Sequence, residues 1–298
     1  LNAEGGQQDL HTAVRLSVEA ASRRTYDTVF LGNSRVMRGV DPKHLSRPAH
    51  NFAFDDDTFH YYLAKSRYLA RTGHAIQQAF VGVDLFQLCY WNYYRYFSYR
   101  ELLDEPELDR WLFDVHYGPD LVSNVAEKKV ALRFFYRNAL VTIARSRLRG
   151  VPPAGGNQLG ESYELEPSGY YRVTYARRRA VDPLAVPQGP FDPRARDLLA
   201  RTVAELRERG VDVVLFTPPA SRAFRTIHPA AQRAEFDRIV RAIADGQGAR
   251  YVSWEADPAF DDDDFPDGTH LSIDGAARFT RMIAASLGEP TAGGAGRH

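Results

Sequence analysis

Residues 26–39 read YDTVFLGNSRVMRG, an apolar run followed by a Gly-Asn pair and a serine. The β-branched, apolar segment TVFLG (residues 28–32) is typical of a buried strand in a parallel sheet. Ser34 follows at the point where that strand would end. Two interpretations are open: a polar turn that closes the strand, or a nucleophile held at the carboxyl end of a parallel sheet. The second requires a histidine and an acid from elsewhere in the chain.

The rest of the chain alternates between strand patterns and helix patterns. Further strands are predicted at 48–54, 77–86, 211–219 and 249–254, and helices at 11–24, 57–73, 192–210, 229–245 and 273–287. Strands that alternate with helices favour right-handed βαβ units. The sequence therefore predicts an α/β fold with a flavodoxin-like, or otherwise doubly wound, parallel sheet of about five strands flanked by helices.

The alternation is interrupted from about residue 88 to residue 190. CYWNYYRYFSYRELL (89–103) is rich in aromatic residues, and helical segments and the Pro/Gly-rich stretch GVPPAGGNQLGESYELEPSGYY (150–171) follow. We predict one α/β domain over 1–298 that carries this helical, aromatic-rich insertion with a long Pro/Gly loop over 150–171, and a disordered tail over about 288–298. The aromatic stripe is more typical of a core than of a ligand platform, although exposed rings would suit stacking on sugars.

Composition and short motifs exclude several classes of function. Lys plus Arg and Asp plus Glu are balanced at 38 each, so no global field favours nucleic acid or an anionic membrane as partner. No P-loop or G-x-G-x-x-G is present, and the histidines lack ligand spacing, so no cofactor and no metal are predicted. The lone cysteine, Cys89, cannot form an internal disulfide; this slightly favours a reducing compartment without excluding the periplasm. No apolar run approaches the roughly 18 residues of a membrane span.

The candidate base and acid lie in FPDGTHLS, residues 265–272. Asp267 and His270 stand at the junction between a loop and the last predicted helix. In so short a turn, the carboxylate can accept a hydrogen bond from Nδ1–H while Nε2 faces a serine. Because the carboxyl ends of parallel strands share one edge of the sheet, Ser34 and this loop are expected to meet. The alternative is a surface histidine that caps the last helix.

Two blocks of sequence resemble those of a known superfamily. VFLGNSR near the start and DGTHLSIDGA near the end resemble the first and last blocks of the SGNH (GDSL-type) hydrolases. The arginine after the serine in LGNSRVMRGVDPKHL also resembles DltD-like proteins, which handle acyl groups on bacterial cell-envelope polymers. The resemblance covers about 26–86 and 192–287 and does not cover the insertion. It implies that Ser34 is the nucleophile, His270 the general base and then acid, and Asp267 its orienting partner.

The same resemblance accounts for only part of the oxyanion hole. The backbone N–H of Ser34 would be one donor. The second block of the superfamily runs Asn-x-Gly-x-x-Gly, whereas NFAFDD from Asn51 has Ala53 and Asp56 at the glycine positions. The third block ends in Gly-x-Asn, and this chain has Asp84, whose carboxylate accepts hydrogen bonds but does not donate them. Asn51 or a neighbouring amide is therefore the expected replacement.

Charged groups near the predicted site have both functional and structural interpretations. Arg35 or Arg38 is expected to pair with Asp84, either to balance charge beside the oxyanion or as a structural ion pair. Arg222, in TPPASR after the fourth strand, is expected either to contact an anionic or hydroxyl-rich substrate or to be an ordinary surface arginine. The run DDDD at 261–264 lacks EF-hand spacing and is expected to be a solvated loop, with a calcium-stabilised scaffold as the alternative.

The residues and the resemblance together predict acyl-ester chemistry through an acyl-serine. The acyl group would pass to water or to a sugar hydroxyl, giving deacetylation or O-acetyl transfer on a bacterial envelope or exported polysaccharide. Expected partners are a carbohydrate polymer or acyl donor and a membrane-bound O-acyltransferase. The chain begins at Leu1, and we expect a periplasmic or extracytoplasmic location with an upstream membrane anchor. The alternative is a catalytically weak SGNH-fold protein that binds polysaccharide or assists its assembly, as Ala53, Asp56 and Asp84 suggest.

Overall fold

The computed structural model describes residues 10–89, 162–175, 177–181, 186 and 189–287. Its strands are β1 (Thr28–Leu31), β2 (Ala49–Asn51), β3 (Gln78–Gly82), β4 (Ser162–Leu165), β5 (Tyr171–Thr174), β6 (Asp212–Thr217) and β7 (Arg250–Ser253). Its helices are α1 (Leu10–Ser22), α2 (Ser34–Gly39), α3 (Phe59–Arg71), α4 (Leu85–Cys89), α5 (Pro193–Glu208), α6 (Arg222–Arg225), α7 (Ala230–Gly246) and α8 (Ile273–Ser286). Two 3₁₀ turns, Pro42–His44 and Asp262–Asp264, complete these elements. Most of the predicted insertion and the tail predicted at 288–298 lie outside the described residues.

A parallel sheet of five strands forms the centre of the fold, in the order β2-β1-β3-β6-β7. Counted along the chain, these strands run 2-1-3-4-5, which is the flavodoxin-like order. The predicted α/β fold is therefore confirmed. Right-handed crossovers place α2 on one face of this sheet and α3, α5 and α7 on the other, because the β1–β2 connection runs in the opposite direction to the later ones. Because helices cover both faces of the sheet, β1 is buried along its whole length. Among the described helices, none has the length and apolar character needed to cross a membrane.

Two glycines bring α2 unusually close to the sheet. A Cβ atom on Gly32 would lie 2.3 Å from the Val36 Cβ, and one on Gly82 would lie 2.3 Å from the Val36 Cγ2. Gly32 follows β1 and Gly82 ends β3, so Val36 packs into the space that both side chains leave open. This contact fixes the start of α2, and hence Ser34, against the carboxyl ends of two neighbouring strands.

The loop after β2 is held by a buried ion pair. Lys65 Nζ, on α3, donates to Asp57 Oδ2 at 2.6 Å and to the Phe52 carbonyl at 2.5 Å. The Phe54 N–H donates to the Gly32 carbonyl at 3.1 Å, which ties the loop to the turn that precedes the serine. The resemblance to SGNH hydrolases predicted a glycine conformation at Asp56, and its φ of 52° lies in the left-handed region that Asp tolerates better than most residues. The loop thus keeps a glycine-like conformation without the glycine.

A hairpin occupies the end of the region that we predicted to be a Pro/Gly loop. β4 and β5 pair antiparallel, and the alternating SYEL and YRVT are the signal that the prediction overlooked. The hairpin turn covers the edge strand β2, since the Asn51 N–H donates to the Ser168 carbonyl at 2.8 Å. A Cβ on Gly169 would lie 2.0 Å from the Asn51 carbonyl oxygen, so only glycine permits this approach. The loop predicted over 150–171 is therefore wrong for the part that the structure describes.

Candidate active site

Three side chains form a continuous hydrogen-bond chain at the carboxyl edge of the sheet. His270 Nε2 lies 2.8 Å from Ser34 Oγ, and His270 Nδ1 lies 2.7 Å from Asp267 Oδ2. The serine and the histidine are 236 positions apart in the sequence. With the carboxylate as acceptor, Nδ1 carries the imidazole proton and Nε2 is the atom that can accept a proton from the serine hydroxyl. The arrangement is that of a nucleophile, a base and an orienting acid.

The turn between β1 and α2 presents Ser34. Asn33 is the N-cap of α2, with φ −87° and ψ −163°, and its side-chain oxygen accepts from the Arg35 N–H at 2.9 Å. Ser34 is the first helical residue, and it is partly exposed while its two neighbours are buried. The N–H groups of a first helical turn have no partners within the helix. The Ser34 N–H has no partner within the helix on this ground, and its role as an oxyanion donor stays a prediction.

The loop before α8 fixes the acid and the base together. Asp267 Oδ1 accepts hydrogen bonds from the Thr269 and His270 N–H groups, at 2.9 and 2.8 Å. Gly268 makes this tight turn with φ 76°. Burial raises the pKa of Asp267, but the hydrogen bonds from His270 and from the two N–H groups outweigh it and hold that pKa well below its usual range. The carboxylate is thus ionised at neutral pH and available to orient the imidazole.

The imidazole itself is in its basic form at neutral pH. The side chain of His270 is 13% exposed. Burial lowers its pKa below the usual 6.5 and the Arg38 guanidinium lowers it further, while Asp267 and Asp55 act in the opposite direction. A neutral imidazole can take the proton of Ser34, so the lowered pKa suits a general base.

Arg38 borders the hydrogen-bond chain, although the sequence suggested it only as a partner for Asp84. Its guanidinium lies 3.8 Å from Asp267 Oδ2 and 3.5 Å from Asp55 Oδ1, and it donates to the Tyr175 hydroxyl at 3.1 Å. Arg38 thereby joins α2 to the loop after β2 and to the residue after β5. Its spacing of four from Ser34 was the available signal, because residues four apart share one face of a helix.

Replacing Arg38 with glutamine is expected to raise the pH at which activity falls on the acid side by about one unit. Loss of the cation removes a charge that lowers the pKa of His270 and leaves two carboxylates less balanced, and both changes raise that pKa. The measurement is kcat/KM for p-nitrophenyl acetate between about pH 4 and pH 8, whose acid limb reports the base of the free enzyme. Arg38→Lys keeps the charge and serves as the control. An acid limb that stays in place in Arg38→Gln would contradict this role.

The structure shows which of the two predicted arginines pairs with Asp84. Asp84 Oδ1 pairs with Arg35 Nη1, and both side chains are only 2% exposed. The other carboxylate oxygen accepts from Asn33 Nδ2 at 2.8 Å. Arg35 rather than Arg38 is thus the partner, and neither Arg35 nor Asp84 faces a substrate. The contacts are those of a buried ion pair beside the turn of Ser34.

Asn51 is also not a free oxyanion donor. Its side-chain amide nitrogen donates to the carbonyls of Val36 and Val40, at 3.0 and 2.8 Å, and lies 3.3 Å from that of Met37. Its side-chain oxygen accepts from the Ala53 N–H at 3.1 Å. Asn51 therefore caps the carboxyl end of α2 from beneath, where the last carbonyls of a helix need partners. The prediction of Asn51 as an oxyanion donor is wrong for its side chain.

Arg222 and the acidic run lie together beside the loop of His270. The Arg222 side chain is exposed, and its backbone N–H donates to Asp262 Oδ1 at 2.7 Å. No described contact brings Arg222 to Ser34, so its role towards a substrate stays a prediction. The other carboxylates of the run bind protein groups, namely Asp261 with the Asp263 N–H, Asp263 with Arg178, and Asp264 with Arg278. Within the described ranges, no group of three or more His, Cys, Asp or Glu side chains could hold a metal ion.

The chain is similar in structure to solved proteins of low sequence identity. A candidate acylhydrolase from Bacteroides fragilis NCTC 9343 is 12% identical, with a TM-score of 0.45 over 94% of this chain and 99% of that one. A candidate platelet activating factor from Streptococcus pneumonia is 11% identical, with a TM-score of 0.47 over 94% of this chain and 92% of that one. No protein-family model and no curated protein sequence matches the chain. Similarity at this level assigns no activity, which has to be argued from the geometry of the site.

Proposed function

We propose that this chain carries out serine-dependent acyl-ester chemistry on a carbohydrate. The observation that supports the proposal is the hydrogen-bond chain from Ser34 Oγ through both ring nitrogens of His270 to Asp267. A serine hydroxyl becomes a useful nucleophile when a base takes its proton and a third group orients the base. The low pKa of His270 and the ionised state of Asp267 are those that such a base and its orienting acid require.

The proposed reaction has two halves. Ser34 Oγ attacks the acyl carbonyl carbon while its proton passes to His270 Nε2, and the same proton then goes to the departing alkoxide. The acyl-serine that remains is attacked by a second hydroxyl, whose proton His270 accepts; the ester bond to Ser34 Oγ then breaks, and His270 returns the proton to that oxygen. Water as the second nucleophile gives a free acid and makes the chain an esterase. A sugar hydroxyl gives a new ester and makes it a transferase.

The finer assignment rests on the resemblance of the serine block to DltD-like members of the SGNH superfamily. It favours O-acetyl transfer or deacetylation on a bacterial envelope or exported polysaccharide. The same resemblance suggests a periplasmic or extracytoplasmic location, an anchor upstream of Leu1, and a membrane-bound O-acyltransferase as partner. Acetyl groups on a polysaccharide are small esters, which suit a serine that is only partly exposed.

A second candidate is an SGNH-fold protein that binds polysaccharide or assists its assembly with little catalysis. The observation that favours it is the state of the predicted oxyanion donors, since the Asn51 amide is bound to carbonyls of α2 and Asp84 is bound to Arg35. Loss of one such donor costs a factor of about 10²–10³ in a well-studied protease. A rate near background would therefore support this candidate.

A fluorophosphonate label tests the proposal directly. Purified protein is expected to take up one label at Ser34, identified by peptide mass, and to hydrolyse p-nitrophenyl acetate. Ser34→Ala is expected to lose both properties, whereas Ser253→Ala, at an exposed serine that ends β7, should retain them. Acetylated oligosaccharides then test whether the protein releases acetate, and bare oligosaccharides test whether it transfers an acetyl group to a sugar hydroxyl. Equal labelling of wild type and Ser34→Ala would contradict the proposal, and a glycan-binding screen would then test the second candidate.

A further inference from the structure

The two oxygens of one buried carboxylate contact the two residues on either side of Ser34. Asp84 Oδ2 accepts from Asn33 Nδ2 at 2.8 Å, and Asp84 Oδ1 accepts from Arg35 Nη1. Asp84 lies just beyond β3, which pairs with β1 in register, so the carboxylate stands beside the turn that follows β1. The nucleophile is therefore bracketed in the chain by two side chains that share one acceptor.

Asn33 uses both ends of its amide in this arrangement. Its nitrogen reaches Asp84, and its oxygen accepts from the Arg35 N–H at 2.9 Å. The first bond fixes the side chain to β3, and the second fixes it to the first turn of α2. Because the backbone of Asn33 sets the direction in which the chain enters α2, these two bonds determine where Ser34 Oγ points.

Arg35 extends the same contact to a third strand. Its Nη2 donates to the carbonyls of Pro218 and Pro219, at 3.0 and 2.5 Å, and its guanidinium lies 4.6 Å from the ring centroid of Phe224. These residues follow β6, so the side chain spans from the end of β1 to the loop after β6. A bidentate, planar guanidinium holds such a geometry more rigidly than a lysine would.

Asp84 itself is fixed from below. Its backbone N–H donates to Gln87 Oε1 at 2.9 Å, and Gln87 Nε2 donates to the Asp57 carbonyl and to the Tyr62 hydroxyl, at 2.8 and 2.7 Å. Gln87 and Tyr62 are both buried. The carboxylate thus belongs to a buried hydrogen-bond network at the sheet edge, which connects it to α3 and to the loop after β2.

We infer that Asp84 is a positioning residue that sets the location of Ser34 by binding Asn33 and Arg35 at the same time. It touches no substrate, and it acts through its two neighbours. The inference rests on the proposed function in taking Ser34 as the nucleophile. It also explains why an aspartate suits this position: the two partners are both donors, and a carboxylate offers an acceptor to each, whereas an asparagine would offer one acceptor and one donor.

The variant Asp84→Asn is expected to place an N–H₂ group against one of the two donors and to release that side of the turn. A misplacement of about 1 Å can cost about 10²-fold in rate. We therefore expect fluorophosphonate labelling of Ser34, and kcat for p-nitrophenyl acetate, to fall about 10²-fold with little change in KM. In a crystal structure of the variant, the distance from Ser34 Oγ to His270 Nε2 should exceed about 3.5 Å.

A reciprocal exchange restores the complementary pattern. In Asn33→Asp/Asp84→Asn, the amide at 84 can donate to the carboxylate at 33 and still accept from Arg35, while that carboxylate accepts the Arg35 N–H. We expect this double variant to recover at least tenfold of the labelling rate that Asp84→Asn loses, a non-additivity typical of residues in one network. Asp41→Asn is the control, because Asp41 is equally buried but caps the 3₁₀ turn Pro42–His44.

A purely structural ion pair would give a different result. Asp84→Asn would then lower thermal stability as Asp41→Asn does, with Ser34 Oγ unmoved and labelling per folded molecule unchanged, and this outcome would overturn the inference. The position of Ser34 in the crystal structure is independent of turnover. If wild type proved inactive, the proposed function would fail, while a displaced Ser34 in Asp84→Asn would still support the positioning role and an unmoved one would refute it.

Discussion

Replacing Asp267 with asparagine will lower kcat/KM for p-nitrophenyl acetate about 10⁴-fold, and replacing His270 with alanine will lower kcat about 10⁶-fold. The order of these effects follows from the contacts. His270→Ala removes the only base within reach of Ser34 Oγ in the described part of the chain, since His270 Nε2 lies 2.8 Å from that oxygen. Asp267 acts through the imidazole, so Asp267→Asn leaves the base in place but in the wrong tautomer.

The asparagine substitution acts on the tautomer of the imidazole. Asp267 Oδ1 accepts from two N–H groups, of Thr269 and His270. In Asp267→Asn, the remaining side-chain oxygen is expected to keep these two bonds, which turns the N–H₂ group towards His270 Nδ1. That nitrogen must then accept, so the proton moves to Nε2, and Nε2 can no longer take a proton from Ser34.

Asp274→Asn is a matched control, since Asp274 is an exposed aspartate in the first turn of α8. It should leave kcat/KM within twofold of wild type. Circular dichroism and thermal unfolding of each variant separate loss of chemistry from loss of fold. Retention of more than a tenth of wild-type kcat/KM in Asp267→Asn would show that the hydrogen-bond chain is not used in catalysis.

The sheet could be predicted because a buried parallel strand has a local signature. TVFLG and VDVVLFTPP are apolar runs bounded by turn residues, and each became a central strand, β1 or β6. The approach of Ser34 to the loop of His270 followed from topology, since both lie after strands that end at the same edge. The hairpin β4–β5 was overlooked because its alternation is short and follows a stretch rich in proline and glycine.

The orientation of polar side chains could not be predicted in the same way. Asn51 and Asp84 were placed near the nucleophile by resemblance, and both do lie near it. Whether an amide faces a substrate or a helix end depends on which unpaired backbone groups are close, and the sequence does not reveal those groups. Asn51 lies beneath the carboxyl end of α2, where its side-chain amide donates to the carbonyls of Val36 and Val40. Asp84 meets two donors that flank Ser34.

The largest expected effect on stability is that of Lys65→Met, which should lower the free energy of unfolding by about 3–5 kcal/mol. The Lys65 and Asp57 side chains are 0% exposed, and Lys65 Nζ donates to both Asp57 Oδ2 and the Phe52 carbonyl. Methionine fills a similar volume but leaves the carboxylate without its cation and the carbonyl without this donor. The loop after β2 should loosen as a result, and the measurement is equilibrium unfolding in urea.

The cause of that loss can be separated from packing. In Lys65→Met/Asp57→Leu, the buried charge is removed together with its partner, so we expect at least half of the lost stability to return. Arg238→Met is the control for loss of an ion pair at the surface, because the Arg238 side chain is 67% exposed beside Glu235, and its unfolding midpoint should match that of wild type. If the double variant were less stable than Lys65→Met, the loss would come from the missing side-chain contacts, and the buried pair would have no role in holding the loop beside Ser34.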